Sequence, residues 1–403
     1  ATYKEEIATR TEQAIQASGT TREVLASQVK FKEHLESLGI TVPTKKSPTT
    51  GKQIPAFGKN DSAYIQMCKM YPEHNNIWEA REFVKSRIEE TRAQRFIDST
   101  NPDGTFSVPL RYYAAHTGRF GGSDKINLQN LPRGSTLRRA IMAPEGQRLY
   151  IADLSNIEAR MLAWLSKEHD LVEAFRTGRD VYCEFASQIY GRTVTKDDKL
   201  ERYVGKTAIL GLGYGMGADK FKQTLKTGSP SVDVSDSVAQ QIVMQYRGMY
   251  PNIPRLWSGM KDALFQMLNP RSVGMMYGPL TIKMRALELP NEMALNYPNL
   301  RFEAGQFIYN TDRDYVRTHG PRVTENVVQA LARLVITDQM LDIQSLPQVD
   351  IVLQVHDEII AIGSKQDSDA TMNQILEIMR TPPEWCDDLP LDAEGGVSKV
   401  YDK

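Results

Sequence analysis

The chain has 403 residues, a length that predicts about two to four structural units. Its residues are 41% hydrophobic and 25% charged, a composition typical of a folded protein. Its 49 Lys and Arg residues balance 50 Asp and Glu residues, so the net charge is −1. This excludes a strongly basic protein overall, while local basic patches that bind nucleic acid stay possible. Three cysteines without a CxxC spacing argue against a disulfide framework or a cysteine-built zinc site, and the absence of any run of 18 apolar residues argues against membrane spans.

Residues 1 to about 100 are predicted to be helical. VKFKEHLESLGI (29–40) and IWEAREFVKSRIEETRAQRFI (77–97) carry apolar residues at helical spacing, and Gly39 is expected to end the first of these helices. Residues 41–61, rich in Pro, Gly, Thr and Lys, predict an exposed basic loop. STNPDGTFSVPL (99–110), with a turn predicted at its Asp-Gly pair, indicates a boundary.

The rest of the chain mixes strands and helices. RLYIADL (148–154) predicts a short buried strand, IEARMLAWL (157–165) a helix, and residues 170–268 mostly helices, followed by strand-like pieces within 272–310. VDIVLQV (349–355) and EIIAI (358–362), separated by two polar residues, predict a hairpin. We therefore expect an α+β chain whose helices are segregated from a small antiparallel sheet.

Two aspartates lie at the tips of predicted strands, Asp153 at the end of 148–154 and Asp357 in the hairpin turn. Each suits Mg²⁺, which takes one or two carboxylates and keeps waters and substrate phosphates as its other ligands. Taken singly, Asp153 also fits a cap of the next helix and Asp357 an ordinary turn residue. The pair, 204 positions apart (357 − 153), can converge on neighbouring strands and hold two metals about 3.5–4 Å apart for an in-line phosphoryl displacement.

A second pattern consists of Arg202, Lys206, Leu210 and Tyr214, four residues apart, which form one slowly drifting stripe if all lie on one α-helix. The order suits a nucleoside triphosphate lying along the helix, with its phosphates at the cations and its base over Leu210. An ordinary amphipathic helix with solvated cations explains the same spacing. GLGYGMGA (211–218) fits a loose dinucleotide-binding pattern, but it follows a helical stripe rather than a strand, and we reject that site.

Five segments, in the same order along the chain, resemble DNA polymerases of family A, the bacterial DNA polymerase I type. DLSNIEAR (153–160) resembles motif A, R-x₃-K-x₇-YG (202–215) motif B, and QVHDEI (354–359) motif C. HTGRF (116–120) and NLQNLP (127–132) resemble the two segments that precede motif A. The similarity extends from about residue 25 to the C-terminus, and its details look most like a bacteriophage member.

The resemblance implies a right hand of thumb, palm and fingers. Residues 1–107 correspond to a helical thumb, 108–162 to the first part of the palm, 163–334 to the fingers and 335–403 to the second part of the palm. No room remains for the 3′–5′ exonuclease-like domain that usually precedes the thumb, and the first thumb helix looks cut. We therefore expect an N-terminally truncated fragment or an unusually short natural member.

The resemblance also implies catalytic roles. Asp153 and Asp357, with the Leu154 carbonyl, would bind two Mg²⁺ ions, for which Mn²⁺ is a possible substitute. Lys206 would protonate the departing pyrophosphate, and Glu358 would be an auxiliary carboxylate near the primer end.

Other residues would bind the substrates. Arg202 and Lys206 would hold the triphosphate, Tyr214 would lie by the templating base, and Glu158 would be the steric gate against a ribose 2′-OH. The residues expected to touch primer or template are Arg119, Asn127, Gln129, Gln329 and His356.

Three positions depart from the family pattern. The nucleotide-stacking position, usually Phe or Tyr, is Leu210, so we expect weaker base stacking. The histidine of a GRD-x-H segment is Tyr182, which puts one phosphate contact in doubt. The asparagine four residues before Gln329 is replaced by Glu325, with Asn326 one residue later.

The function expected from these motifs is template-directed DNA synthesis, in which dNTPs are added to a primer 3′-OH with release of pyrophosphate. The expected partners are primer–template DNA and dNTPs, without a membrane; an upstream exonuclease domain and replication proteins are further partners that the sequence does not identify. The expected compartment is the cytoplasm, that of a bacterial host for a phage protein. Two alternatives stay open, a catalytically silent DNA-binding fragment and a single-subunit RNA polymerase; Glu158 and the form of motif A argue against the latter.

Overall fold

The chain folds as two units, Ala1–Ser107 and Val108–Lys403. The computed structural model describes residues 2–47, 51–58, 61–86, 88–311 and 314–402. Helices and small antiparallel sheets make up these residues, so the predicted α+β class is confirmed. Within the same ranges, no helix has the length and apolarity needed to cross a membrane.

The first unit is mainly helical. A core of buried side chains that includes Leu25, Phe31, Leu35 and Trp78 joins its helices. Its elements are α1 (Thr2–Ser18), α2 (Arg22–Ala26), α3 (Gln28–Ser37), β1 (Thr44–Lys46), β2 (Gln53–Pro55), α4 (Ser62–Met70), α5 (Asn75–Lys85) and α6 (Ile88–Ser99).

Two predicted turns in this unit are confirmed. After α3, Gly39 has a φ of +78°, its N–H donates to the Glu36 carbonyl, and the Ile40 N–H donates to the Leu35 carbonyl, both at 3.0 Å. This is the Schellman pattern, which needs a residue that tolerates positive φ. Gly104, with a φ of +85°, closes the other turn through a 2.9 Å hydrogen bond to the Asn101 carbonyl.

Two other predictions for this unit are wrong in part. The segment 41–61 is not only a loop: β1 and β2 pair antiparallel within it, with Lys45 opposite Ile54, while residues 48–50 and 59–60 lie outside the described residues. The single helix predicted over 77–97 is two helices, because Ser86 leaves the helical region with a ψ of 88°. Apolar spacing continues across the break, and a short polar residue favours such an interruption.

The second unit is built around a four-stranded antiparallel sheet of order β13-β14-β5-β15. Helix α16 packs on β5 and β15, and α15 packs on β13. Leu149 to Ala152 of β5 are all buried, which explains why this strand is apolar without alternation. The strands of the sheet are β5 (Gln147–Leu154), β13 (Val349–Val355), β14 (Glu358–Ser364) and β15 (Ala393–Ser398).

The predicted strand, hairpin and helical region of this unit are confirmed. All of its helices except the short α7 share one large core with the sheet. They are α7 (Thr136–Arg139), α8 (Ile157–Ser166), α9 (His169–Arg176), α10 (Val181–Tyr190), α11 (Lys199–Leu212), α12 (Ala218–Thr227), α13 (Asp236–Met249), α14 (Asn252–Gln266), α15 (Gly320–Gln344) and α16 (Ser368–Arg380).

The strand-like pieces predicted within 272–310 form parts of two small antiparallel sheets, β6-β7-β8-β9 and β10-β11-β12, and a two-stranded ribbon pairs β3 with β4. These shorter strands are β3 (Leu110–Arg111), β4 (Gly121–Gly122), β6 (Met276–Tyr277), β7 (Leu280–Lys283), β8 (Ala286–Glu288), β9 (Ala294–Asn296), β10 (Arg301–Glu303), β11 (Gln306–Asn310) and β12 (Tyr315–Thr318).

Candidate active site

The central sheet brings the two predicted carboxylates together. Strand β14 pairs with β5 so that Glu358 lies opposite Asp153, and the Leu154 N–H donates to the Asp357 carbonyl at 3.1 Å. Asp357 lies in the β13–β14 turn directly after His356, whose φ is +57°. Burial, and then the negative charge of Asp153, raise the pKa of Asp357 to about 6. The two aspartates, one on β5 and one in the adjoining turn, therefore repel each other.

Asp153 is not explained as a helix cap. The residue that precedes α8 is Asn156, in the left-handed region with a φ of 56°, and no side chain caps the helix there. Asp153 lies within β5, three residues before Asn156, and its side chain faces the cleft described below. The capping interpretation of Asp153 is therefore wrong.

Two glutamates flank Asp153 in the sheet. Residues directly opposite in antiparallel strands point to the same face, and Asp153 has Glu358 on one side and Glu394 of β15 on the other. Glu358 is buried against Arg138, at 2.8 Å from its Nη2, and accepts a hydrogen bond from the Tyr401 hydroxyl. Its carboxylate is thus held by a structural ion pair and does not line the cleft, whereas that of Glu394 does.

A cleft of about 560 Å³ opens beside the carboxylates. Residues of both the sheet and the helices line it, and eight of them were predicted from sequence to act in catalysis or nucleotide binding. Those eight are Asp153, Leu154, Glu158, Tyr182, Arg202, Lys206, Leu210 and Asp357.

Helix α11 supplies Arg202 and Lys206 to the cleft, and its close approach to α10 depends on Gly205. A Cβ at this position would lie 2.2 Å from the Tyr182 carbonyl oxygen, so only glycine fits. As a result, the guanidinium of Arg202 lies 5.3 Å from the centre of the Tyr182 ring, and the Lys206 ammonium lies 6.0 Å from it. Both distances are in the range of cation–π contacts.

Arg202 is also held by a carboxylate. Its Nε and Nη2 both lie 2.9 Å from Asp180 Oδ2, while Asp180 Oδ1 accepts from the Tyr182 and Cys183 N–H groups at the start of α10. Burial alone would raise the pKa of Asp180, but the Cys183 N–H and Arg202 hold it below its ordinary value. The interpretation of the Arg202 side chain as merely solvated is therefore wrong.

Tyr182, which replaces the histidine of the family pattern, is buried and donates its hydroxyl proton to Asn156 Oδ1. Burial raises the pKa of Tyr182 to about 12, so the phenol is neutral near pH 7. It ties α10 to the turn between Asp153 and α8. The role of this position is thus partly structural, which the sequence did not indicate.

Glu158 and Arg119 form an ion pair, and each side chain is about one-third exposed, at 30% and 29%. Beside them lies His356, whose pKa burial and the charge of Arg119 lower, so the imidazole is neutral. Residues 119, 158 and 356 come from three distant segments, yet the electrostatic contacts place them together next to Asp357.

Tyr214 is not on helix α11, contrary to the predicted stripe. The helix ends at Leu212, Gly213 follows as its C-cap, and Gly215 has a φ of +77°. A Cβ on Gly213 would lie 2.5 Å from Leu162 Cδ2, so the chain turns tightly against α8 here. Tyr214 packs against the core and does not line the cleft; Arg202, Lys206 and Leu210 keep the predicted helical spacing.

The remaining predicted DNA contacts are scattered outside the cleft. Asn127 Oδ1 accepts from the Gln129 N–H at 3.1 Å, and Gln129 is buried. Gln329 on α15 contacts Thr117 Oγ1 at 3.5 Å and Glu325 Oε1 at 3.4 Å. Asn326 cannot replace the missing asparagine, because it is buried and donates to the Tyr297 hydroxyl.

Several residues that line the cleft are not predicted from the sequence. Arg133 Nη2 lies 3.9 Å from Asp153 Oδ2, and Asp180, Asp392 and Glu394 add carboxylates to the lining. Of these four residues, only Asp180 lies in a recognisable motif, the GRD segment (178–180). The other three reach the site only through sheet pairing or a loop, which no local pattern reveals.

The family model named DNA polymerase family A matches residues 1–403. The chain belongs to DNA polymerase family A. Among relatives of this family, the DNA polymerase of Bacillus phage SP02 is 24% identical over 94% of this chain and 63% of that protein. The thermostable DNA polymerase I of Thermus aquaticus is 27% identical over 88% of this chain and 39% of that protein.

A solved structure of the same family has the same fold. The POL domain of Pol1 from M. smegmatis, in complex with DNA primer-template and dNTP, matches with a TM-score of 0.68 and 21% identity, over 99% of this chain and 65% of that one. The predicted family A fold is thus confirmed. The chain spans less than two thirds of the length of these family A proteins.

Proposed function

We propose that the chain is a template-directed DNA polymerase, which adds dNTPs to a primer 3′-OH and releases pyrophosphate, with primer–template DNA as its partner. One observation carries the proposal: the cleft has two mutually repelling carboxylates at the end of the sheet, Asp153 on β5 and Asp357 in the β13–β14 turn, and two cations on α11, Arg202 and Lys206. A triphosphate with bound divalent cations complements both sets of charges.

The donor set fits Mg²⁺. Asp153 on β5 and Asp357 in the adjoining turn are hard oxygen ligands, and a cation between them would relieve the repulsion that, together with burial, raises the pKa of Asp357. Among the described residues, no group of three or more His, Cys, Asp or Glu side chains could hold a metal, so substrate phosphates and the Leu154 carbonyl would complete the coordination. Two Mg²⁺ ions, or Mn²⁺ in their place, would supply Lewis-acid stabilisation of the primer oxygen and the leaving group.

The helix residues would hold the nucleotide. Arg202 has N–H donors beyond those of Nε and Nη2 that face one oxygen of Asp180, so it can bind a phosphate without losing that partner. Lys206 is exposed at the cleft and would donate a proton to the leaving pyrophosphate. Leu210, 41% exposed one turn further along, would give the base an apolar contact.

Glu158 and its neighbours would select the sugar and hold the DNA. The ion pair with Arg119 fixes the Glu158 carboxylate in the cleft, where it would occupy the space of a 2′-OH. Arg119, neutral His356, Asn127, Gln129 and Gln329 would contact the primer or the template. Tyr214 packs against the core and does not line the cleft, so no template contact is assigned to it. Glu358 would act near the primer end only through its ion pair with Arg138.

The two units and the position of the cleft support the domain assignment. Residues 1–107 would be the thumb, 108–162 and 335–403 the palm with the central sheet, and 163–334 the fingers with α10 and α11. In this assignment the carboxylates belong to the palm and the triphosphate-binding cations to the fingers.

Primer extension tests the proposal. A labelled primer on a single-stranded template is incubated with the protein, Mg²⁺ and either dNTPs or rNTPs. We expect extension with dNTPs only, and none when EDTA replaces Mg²⁺. Binding of the primer–template without extension would favour a silent DNA-binding fragment, and efficient rNTP incorporation would favour an RNA polymerase; either result contradicts the proposal.

A further inference from the structure

A second concave surface lies in the first unit, where none of the site residues occurs. It is a groove of about 780 Å³ between the end of the β1–β2 hairpin and helices α4 and α5, lined by Phe57, Tyr64, Trp78 and Arg81. We call it the aromatic groove. Its rings meet edge to face, with 5.9 Å between the centres of Phe57 and Tyr64 and 6.4 Å between those of Tyr64 and Trp78. Its volume is in the range of small-molecule sites, about 300–1,000 Å³.

The groove holds a buried cation, Arg81, that has no carboxylate partner in the part of the chain that the structure describes. Arg81 is 4% exposed, and its Nη1 donates to the carbonyls of Leu25 and Ser27. Its guanidinium lies 4.3 Å from the centre of the Phe31 ring and 5.4 Å from that of Phe57. These contacts satisfy the guanidinium only in part, because a buried cation is stabilised most by an anionic partner, and an anion in the groove would supply one.

A second cation reinforces the charge of Arg81. Lys85 lies one turn further along α5 and also lines the groove, and no ion pair of Lys85 or Arg81 with a carboxylate occurs among the described residues. Burial and the nearby Arg81 lower the pKa of Lys85. Lys69 and Glu82 line the groove as well, with opposite charges, so the groove is positive overall.

The chemistry of the groove is that of binding rather than reaction. Cys68 is its one thiol among the described lining residues, and burial raises the pKa of that thiol to about 11. The thiol is therefore protonated at neutral pH and a poor nucleophile. Aromatic faces beside cations are the features with which proteins bind unpaired nucleotides, where bases stack on rings and cations hold the phosphates.

We propose that the aromatic groove binds one nucleotide of single-stranded DNA, with its base against Phe57 and Tyr64 and its phosphate at Arg81 and Lys85. An acidic peptide would pair with the cations but would leave the ring faces without a flat partner. Duplex DNA is disfavoured as well, because its bases are already stacked on each other and cannot stack on the rings. The inference goes beyond the proposed function, because no step of nucleotide addition uses the groove.

Binding of a fluorescent oligothymidylate to the intact chain tests this inference. Anisotropy is measured over a range of salt concentrations, without divalent metal or dNTP, and with saturating unlabelled blunt duplex DNA to fill the duplex-binding surface. The variants are Lys85→Gln and Phe57→Leu. Lys32→Gln is the matched control, since Lys32 is a partly exposed lysine of the same unit whose partner is Glu36 at 3.6 Å, outside the groove.

We expect Lys85→Gln to weaken binding at least about threefold and to reduce the slope of log K against log salt by about 0.7, the loss of one phosphate contact on a single strand. Phe57→Leu should weaken binding about tenfold with an unchanged slope, because it removes stacking and no charge. Lys32→Gln should bind like the parent. An abasic oligomer should bind the parent as weakly as thymidylate binds Phe57→Leu.

Parent-like binding by Lys85→Gln would overturn the inference, as would equal affinity of the parent for abasic and thymidylate oligomers. Lys85 is exposed, so its variant remains a valid test even if Phe57→Leu fails to fold. Primer extension by both variants should match that of the parent on saturating primer–template. Failure of the parent to extend a primer would contradict the proposed function and leave the binding result unaffected.

Discussion

The two proposed metal-binding carboxylates lie at the end of a sheet, Asp153 on β5 and Asp357 in the adjoining β13–β14 turn, where backbone pairing fixes their neighbours. The two proposed phosphate-binding cations lie on helix α11, whose position depends on side-chain packing. Asp153 is in register with Glu358 on one side and Glu394 on the other. Arg202 and Lys206 are placed by the contact of α11 with α10 at Gly205, and by Tyr182 and Asp180.

This difference indicates that the two regions contribute differently to the reaction. A residue slip in the sheet would turn Asp153 to the opposite face, so the geometry of the carboxylates is strongly specified. Arg202 and Lys206 on the helix have long, flexible side chains. Lys206 is exposed, and among the described residues no carboxylate binds it. We expect substitutions on the sheet to abolish chemistry, and those on the helix to change rate, affinity or selectivity by degrees.

The largest effect is expected from the sheet. Asp153→Ala and Asp357→Ala should each reduce extension by at least about 10³-fold, some 4 kcal/mol of transition-state stabilisation, because each removes a metal ligand. Primer–template affinity should change little, since it depends on distributed phosphate contacts. Single-nucleotide extension and DNA binding measure the two effects.

Asp350→Ala is the matched control, because Asp350 is an exposed carboxylate on β13 of the same sheet, away from the cleft. It should extend primers like the parent. If Asp153→Ala or Asp357→Ala kept activity within about tenfold of the parent, the metal-ligand assignment would be wrong.

The helix cations should show a smaller, divided effect. Lys206→Ala should lower kcat about 10²-fold with a modest change in dNTP KM, since its proton is needed at the leaving group in the transition state. Arg202→Ala should mainly raise KM, roughly tenfold, because it binds the phosphates before and during the reaction. Steady-state kinetics separate the two, with Lys199→Ala, at the exposed start of α11, as control. Equal effects of both variants on both parameters would show that the roles are wrongly divided.

Glu158 lies between the two parts of the cleft, and its effect should be on selectivity. Glu158→Ala should raise the rNTP/dNTP ratio of kcat/KM by about tenfold, because it relieves a clash of about 1–3 kcal/mol with the 2′-OH. Glu158→Gln keeps the volume and loses the ion pair with Arg119, so it should retain most of the selectivity. An unchanged ratio in the alanine variant would remove Glu158 from this role.

The smallest effect is expected at Leu210. Leu210→Phe should lower dNTP KM by about fivefold, because a ring adds stacking worth roughly 1–3 kcal/mol per base. Leu210→Tyr should in addition improve the use of dideoxynucleotides, since its hydroxyl can take the place of the missing 3′-OH. Competition between ddNTP and dNTP measures this. If the ratio stayed at the parent value, Leu210 would not contact the nucleotide.

The sequence predicted the parts of the molecule that depend on local patterns. The strand that carries Asp153, the hairpin around Asp357 and the four-residue spacing from Arg202 to Leu210 all appear in the structure. The prediction that Tyr214 lies on the same helix is wrong, because the helix ends where Gly213 packs tightly against Leu162, a tertiary contact that no local pattern reveals. The β1–β2 hairpin was missed, since its exposed strands bury little and have no apolar alternation. Glu394 and Arg133 were missed, because only sheet order and a loop bring them to Asp153.

The pairing of β5 has a consequence for how the protein reaches its native state. The partners of Asp153 lie 205 residues (358 − 153) and 241 residues (394 − 153) further along the chain. Contacts so distant in sequence form slowly, because the intervening chain must lose its freedom before either strand can dock. We therefore expect metal affinity to be acquired last during refolding, after the helical signal has recovered. A nascent chain would gain helices early on the ribosome and become competent for catalysis only once β15 had emerged.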